Sequence, residues 1–508
     1  MTLPDASELL AAFWAYERAL MANDLEALDA LFAPGPDTLR GDAAGILVGH
    51  DAISAFRKGR GGAPARGIVD VEVRVISESS ALIVAVTAPL TGGRGQQTQL
   101  WQLVDTAWRV SAAHVSLPTP AVNGTVWRVV GTPLVAGVAA GVLSGETVAV
   151  KDLFEVQGFA VGAGIPGFLA TSTVATGTSP AVAALLEAGA DVTGIAQTDE
   201  FAYSIAGRNP HYGTPPNPAV VGGVPGGSSS GPASAVALGQ TSIGLGTDTA
   251  GSIRVPASYQ GLWGLRTTHG SVSADRLLPL APTFDSVGWL TRLSGPLRGA
   301  AEATLDPSLQ IAVAADFVVA PALLDHCEPD VRAAFTAFVG TRYETVDLVD
   351  LDELFATFRT VQQAEAWAVH GPWITAHPGA LGTDVVERFA LAAAVTPAQE
   401  SAARDALAAA RARLDAVLRD RVLLLPTTSS SAPTVMADAD LIERTRQGTL
   451  RLTCIAGITG RPALSVPLLG VPQPGALLAA PVGLCLVGPR FGDLALIARA
   501  DELALSQR

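Results

Sequence analysis

Two short loops and one lysine carry the residues best able to do chemistry. Residues 225–273 read PGGSSSGPASAVALGQTSIGLGTDTAGSIRVPASYQGLWGLRTTHGSVS, an apolar segment that turns rich in Gly and Ser at 226–231 and again at 247–252. Small residues let backbone approach backbone or ligand and permit unusual dihedrals, so the two loops are suited to form the floor of a site. A serine hydroxyl is a poor nucleophile until a neighbouring base takes its proton. Lys151 is one of only two lysines in the chain, the other being Lys58, and it follows the apolar run TVAV. A lysine is ordinarily a solvated surface charge, but burial at the end of such a run would lower its pKa and make it a base.

Other chemistries find less support. The seven histidines, His50, His114, His211, His269, His326, His370 and His377, form no HxxxH or HExxH pair, so no metal site is expected. No GxSxG elbow with a following acid and histidine stands out, which argues against a Ser-His-Asp triad. Cys327, Cys454 and Cys485 lie far apart without a CxxC pair and read as buried small hydrophobes.

The two loops resemble those of the amidase signature family. The family's serine-rich GGSS loop appears as Gly226-Gly227-Ser228-Ser229, and its nucleophile loop as Gly246-Thr247-Asp248-Thr249-Ala250-Gly251-Ser252-Ile253-Arg254. The 24 positions from Ser228 to Ser252 agree with the family spacing, and Val148-Ala149-Val150-Lys151-Asp152 is similar to its lysine-bearing strand. The resemblance covers nearly all of residues 124–508. It implies Ser252 as nucleophile, Ser228 as a bridging serine after a cis peptide bond, and Lys151 as base, with no cofactor and no metal. The turn holding Ser252 suggests an oxyanion hole from the backbone N–H groups of Thr249, Ala250, Gly251 and Ser252. Ser229, Asp248 and Arg254 are expected to brace the loops. Where the family usually has Gly, this chain has Ala250, whose methyl is expected to narrow the site or to demand a negative φ.

These loops need elements to hold them. Beyond residue 124, strand-like runs at 147–150 and 192–195 alternate with helical ones at 179–188 and 234–238, which predicts an α/β domain with a mixed, covered sheet. Residues 328–420 read as more helical, ending in a surface helix over 399–420, and strands return at 422–425, 463–467 and 481–487. Upstream, 7–32 has the apolar spacing of helices broken near Asn23 and Asp24, a third helical piece spans 50–57, and strands follow at 67–76, 80–87, 96–103 and 108–117. The order suggests an α+β unit with a curved sheet around helices. LLAAFWAYERALMANDLEALDALF and TQLWQLVDTAWRVSAAHVSLP resemble the cone-shaped NTF2-like fold, and most nearly the small AtzH-like domains found beside amidases. Trp14, Tyr16, Trp101 and His114 are the residues expected to line or fill that cone. The expected organisation is therefore an NTF2-like domain at 1–117, a linker at 118–124 containing PTPAVNG, and an amidase domain at 125–508.

Composition narrows the partners. Apolar residues make up 49% of the 508 residues and charged ones 16%, which suits large buried cores. A net charge of −14 gives no summed positive field for nucleic acid or an anionic membrane. The start, MTLPDASELL, lacks a basic n-region followed by an apolar h-region, so a cytoplasmic protein is expected. Domains of the NTF2-like fold often self-associate, so a homodimer is expected as well.

The amide itself is less legible. TDEFAYSIAGRNPHYGT and TFDSVGWL are similar both to the indole-3-acetamide hydrolase branch and to carboxybiuret-type amidases, which implies a small primary amide or, alternatively, a urea-derived substrate, while the NTF2-like unit leaves open an assembly or binding module with secondary amidase activity. An apolar acyl pocket would draw on Trp263, Trp367 or Trp373, although each suits a core equally. An acidic substrate would want an arginine clamp, for which Arg208, Arg254, Arg276 and Arg388 are available.

Overall fold

The computed structural model describes residues 7–42, 45–63, 65–89, 95–116, 122–313, 316–348, 350–473 and 478–506. The chain divides into two compact units, Met1–Asn123 and Gly124–Arg508. Residues 118–121 of the expected linker lie outside the described residues.

In the first unit, helices α1 (Ser7–Ala22) and α2 (Leu25–Leu31) are separated at Asn23 and Asp24, and Asp24 caps α2 by accepting the Ala27 N–H at 3.0 Å. Two short strands, β1 (Leu39–Asp42) and β2 (Gly45–Val48), precede α3 (His50–Arg60). Four longer strands follow: β3 (Arg66–Ser77), β4 (Ser80–Pro89), β5 (Gly95–Val104) and β6 (Ala107–Ser116). They form one sheet in the order β2-β1-β6-β5-β4-β3, antiparallel except where β1 runs parallel to β6. This is the expected α+β cone, with the added pair β1 and β2 at one edge. Its core joins Phe13, Tyr16 and Phe32 to Ile83 and Trp101. A cavity of about 390 Å³ opens within it, bordered by Tyr16, Arg40, Arg57 and Arg66. Two of the expected cone residues lie elsewhere, because Trp14 is 42% exposed and His114 also faces outward.

The second unit is the expected α/β domain. Its strands are β7 (Trp127–Val135), β8 (Thr147–Lys151), β9 (Asp191–Ala196), β10 (Ile243–Asp248), β11 (Trp263–Arg266), β12 (Ser286–Thr291), β13 (Phe317–Val319), β14 (Glu344–Thr345), β15 (Val422–Pro426), β16 (Ala463–Val471) and β17 (Ala480–Val487). They form a mixed sheet in the order β14-β13-β15-β17-β16-β11-β12-β10-β8-β9-β7. Helices α4 (Pro166–Thr171), α5 (Pro180–Glu187), α6 (Ser230–Ala237), α7 (Arg254–Gln260) and α8 (Ser294–Thr304) sit among the strands nearest the two loops. The helical stretch expected at 328–420 comprises α9 (Pro329–Val339), α10 (Leu351–Ala376), α11 (Thr383–Ala393) and α12 (Pro397–Leu418). Helices α13 (Ala439–Thr459) and α14 (Asp493–Leu505) complete the unit. As expected for a surface helix, α12 buries one stripe, Ala403, Leu407, Ala410, Leu414 and Leu418.

One feature of this sheet positions the site. β8 and β10 are parallel neighbours, registered Ile243 to Val148, Gly244 to Ala149 and Leu245 to Val150. Their carboxyl ends therefore come out side by side, and in open α/β sheets that is where crevices form. Lys151 ends β8, and the loop with Ser252 leaves the end of β10.

Candidate active site

The first requirement of the site is a buried amine. β8 reads TVAVK and is apolar up to its last residue, so the strand carries Lys151 into the interior with no exposed surface. Its Nζ donates to Ser228 Oγ at 2.8 Å and to Thr247 Oγ1 at 2.8 Å. Burial lowers its pKa to about 7, against the smaller opposing pull of the Asp199, Asp285 and Asp248 carboxylates. Thr247 is a partner that the sequence reading did not single out, although it stands within the quoted loop.

The second element is the loop before α6. The Gly227–Ser228 peptide is cis, and the Ser228 carbonyl accepts from the Asp199 N–H at 3.3 Å and from Thr198 Oγ1 at 2.9 Å. A Cβ on Gly227 would stand 2.4 Å from Asp199 Oδ2, so only glycine lets this carboxylate pack against the loop. Asp199 is itself buried, accepting from the Gly207 N–H at 2.9 Å and Ser230 Oγ at 3.1 Å. Burial pushes its carboxyl up to about 6, although these hydrogen bonds oppose the rise.

The third element is the turn between β10 and α7. Asp248 accepts from the N–H groups of Gly251 at 2.8 Å, Ile253 at 3.2 Å and Arg254 at 3.3 Å, folding the turn around one carboxylate. Arg254 holds that carboxylate with both Nε (3.0 Å) and Nη2 (2.9 Å), and Arg266 Nη1 lies 3.3 Å from it. Burial alone would raise the Asp248 pKa, but the Arg254 charge and hydrogen bonds, then the Arg266 charge, keep it well below the usual carboxylate range. Gly251 takes φ +117°, which a side chain rarely adopts. Ala250 lies outside the left-handed region, so its methyl meets no positive-φ strain. Its carbonyl accepts from Thr453 Oγ1 at 2.7 Å, tying the turn to α13.

The turn narrows the expected oxyanion set. The Gly251 N–H is already given to Asp248 and cannot also meet a developing oxyanion, so Gly251 leaves that set. Among the described residues the N–H groups of Thr249, Ala250 and Ser252 have no acceptor. Thr249 also donates its hydroxyl to Asp285, a second contact that the sequence reading did not foresee.

Ser252 is buried, and its carbonyl accepts from the Ser229 N–H at 3.2 Å, binding the two loops to each other. Ser229 Oγ also donates to the Thr247 carbonyl at 3.3 Å. Among the described residues Ser252 Oγ has no hydrogen-bond partner. The geometry thus places a buried amine, two serines and free N–H groups at one end of two parallel strands. That is the equipment of acyl transfer.

Comparison with known proteins identifies the family. The Amidase family model matches residues 134–297 and the AtzH-like model residues 4–120. Amidase 1 of Arabidopsis thaliana is 34% identical over 401 residues, spanning 71% of this chain and 93% of that protein. The chain belongs to the amidase signature family. Within it, 1-carboxybiuret hydrolase subunit AtzE of Pseudomonas sp. (strain ADP) is 31% identical over 387 residues, 71% of this chain and 83% of that one. A solved structure titled "Crystal structure of amidase" superposes with a TM-score of 0.64 at 30% identity, covering 72% of this chain and 85% of its own.

The expectation of a cytoplasmic protein is corrected by the same comparisons. Translocon at the outer membrane of chloroplasts 64 of Pisum sativum is 29% identical over 395 residues, 70% of this chain and 65% of its own. An amidase-type sequence therefore accompanies more than one address. Among the described residues no helix is long and apolar enough to cross a membrane.

The other expected residues find structural places. Trp263 is buried in the main core, and Trp367 and Trp373 pack on the cluster around Phe201 and Phe389. Arg254 is bound to the buried Asp248, and Arg276 pairs with Glu155 at the surface, 2.8 Å away. Arg208 and Arg388 border a cavity. The role of Asp248 generates one prediction. Asp248→Asn leaves Arg254 and Arg266 buried without their carboxylate and should lower unfolding stability by about 3–5 kcal/mol. A thermal melt within about 2 °C of wild type would contradict that role.

Proposed function

We propose that Ser252 attacks the carbonyl carbon of a small primary amide, with Ser228 relaying its proton to Lys151. The observation that supports this most directly is the buried Lys151 Nζ, 2.8 Å from Ser228 Oγ and with a pKa near neutrality. As Ser252 Oγ bonds to carbon, its proton moves to Ser228 Oγ while the Ser228 proton moves to Nζ. A neutral amine has one lone pair, and an N–H given to Thr247 Oγ1 leaves that pair for Ser228. The N–H groups of Thr249, Ala250 and Ser252 meet the oxyanion. The relay then returns a proton to the departing nitrogen, ammonia leaves, and water repeats the cycle on the acyl-enzyme to release the acid. Likeness to a carboxybiuret hydrolase subunit keeps a urea-derived substrate as the second reading.

The decisive assay measures ammonia release from acetamide, benzamide, indole-3-acetamide, glutamine, biuret and allophanate-like ureides. Ser252→Ala should lower turnover of the best substrate by about 10³-fold or more, and near-wild-type activity in that variant would remove Ser252 as nucleophile.

The lysine sets the pH dependence. Below its pKa of about 7 the amine is protonated and cannot accept the relayed proton, so kcat/KM should rise about tenfold per unit up to that pH and level off above it. A profile that is flat from about pH 5 to about pH 9, or that falls as pH rises, would show that Lys151 is not the base.

We read residues 1–117 and 125–508 as separate domains and infer that the first promotes self-association into a homodimer. Its two edge strands expose apolar side chains, Ile46 at 75% and Val48 at 61% on β2, Val69 at 50% and Ile76 at 60% on β3. Sedimentation of the full chain should give a dimer, and a concentration-independent monomer would end this reading.

A further inference from the structure

A cavity of about 340 Å³ lies beside the serine loops and is bordered by Arg388, Arg446 and Thr445. Its inner wall includes Ile205, whose carbonyl receives the N–H of Gly227 at 2.8 Å, one residue before Ser228. Helix α13 links it to the other loop. Thr453 holds the Ala250 carbonyl, while Thr445, eight residues earlier on the same helix and so about 12 Å away along it, borders the cavity.

The lining has an unusual balance for a chain carrying 47 acidic and 33 basic residues. Of the acids at the cavity, Glu200 is engaged by His211 at 3.0 Å and by the Gly382 N–H at 2.9 Å, and Asp384 is exposed on the first turn of α11. Arg388 donates to the Tyr203 carbonyl at 2.9 Å, and Arg446 meets Glu443 at 3.2 Å. Thr445 is 5% exposed, and its hydroxyl has no hydrogen-bond partner among the described residues. A buried hydroxyl left in that state normally awaits a partner. Val385 and Ile442 supply an apolar wall between these polar groups.

We propose that this cavity receives the carboxylate of a linear amido acid whose amide carbonyl reaches Ser252, with Arg388 and Arg446 as its cationic contacts and Thr445 as its neutral donor. The inference rests on the amide-hydrolase reading and adds the substrate class. Burial, and after it the Arg388 charge, disfavour the charged form of Arg446, a cost that an anion between the two guanidiniums relieves. The separation along α13 favours an extended apolar spacer, which suits the Val385 and Ile442 wall. A free anionic effector would use the same groups, but its binding would not depend on the length of the amide.

The test compares linear ω-amido acids from succinamate to suberamate with their neutral methyl esters. Wild type should prefer the acid over the ester at one chain length, through KM. In Arg388→Gln and in Arg446→Gln that acid-to-ester ratio should fall about tenfold or more. Equal use of acid and ester, or a ratio that both variants leave intact, overturns the site while the amidase reading stands. Stimulation of neutral amides by added acetate, without length dependence, also overturns it in favour of an effector. If wild type hydrolyses none of the series, adipamate is titrated calorimetrically into Ser252→Ala with and without Arg446→Gln. Binding lost with the arginine keeps the site and discards the reaction, whereas no binding discards both.

Discussion

A lysine amine sealed from water loses the hydration that ordinarily keeps it charged, and everything around Lys151 follows from that loss. Its two hydrogen-bond partners are hydroxyls rather than carboxylates, which can accept from it without fixing a proton on it. A carboxylate in direct contact would restore the charge and remove the base. The strand that delivers Lys151 is apolar to its last residue for the same reason, because an exposed end would rehydrate the amine.

Acids are nonetheless close, and their arrangement decides whether the amine can be neutral. Asp248 is consumed by two guanidiniums and three N–H groups of its own turn. Among the described residues neither Asp199 nor Asp285 has an arginine hydrogen-bonded to it, and desolvation pushes both carboxyls upward. Of the three, Asp199 opposes the lowering of the Lys151 pKa most, Asp285 next and Asp248 least. The arginines do a structural task at the same time, since Arg254 and Arg266 make it possible to keep a buried, ionised acid at the turn that carries Ser252.

The loops were legible in the sequence because their chemistry is local. Gly and Ser crowd into two short spans, and a rare lysine ends an apolar strand. Thr247, Asp199 and Asp285 were less legible because their partners lie 96, 31 and 36 positions away, beyond any local period. β1 and β2 escaped notice for a different reason, as four residues such as LRGD show no alternation to read. In the cone, Trp14 follows Phe13 on the same helix and points about 100° away from it, so composition suggested a lining that helical geometry forbids. His114 shows the same effect at half the period, since its neighbour Ala113 takes the inward position on β6. Gly251 was expected to be an oxyanion donor together with its neighbours, yet the acid three residues earlier accepts its N–H.

The spacing of the two loops has its own physical demand. A relay through Ser228 works only if the loop before α6 and the turn after β10 hold their positions together, since a shift of about 1 Å between reacting groups is enough to cost two orders of magnitude in rate. The bond from the Ser229 N–H to the Ser252 carbonyl and the one from Ser229 Oγ to the Thr247 carbonyl couple them. That coupling requires β10 to pass directly beneath the loop, and a Cβ on Gly246 would stand 2.6 Å from Ser229 Oγ. Glycine at 246 and 227 is thus set by how closely the two chain segments must approach, and serine at 229 by the need to join them. Neither requirement is about the reacting atoms, yet both decide whether those atoms can meet.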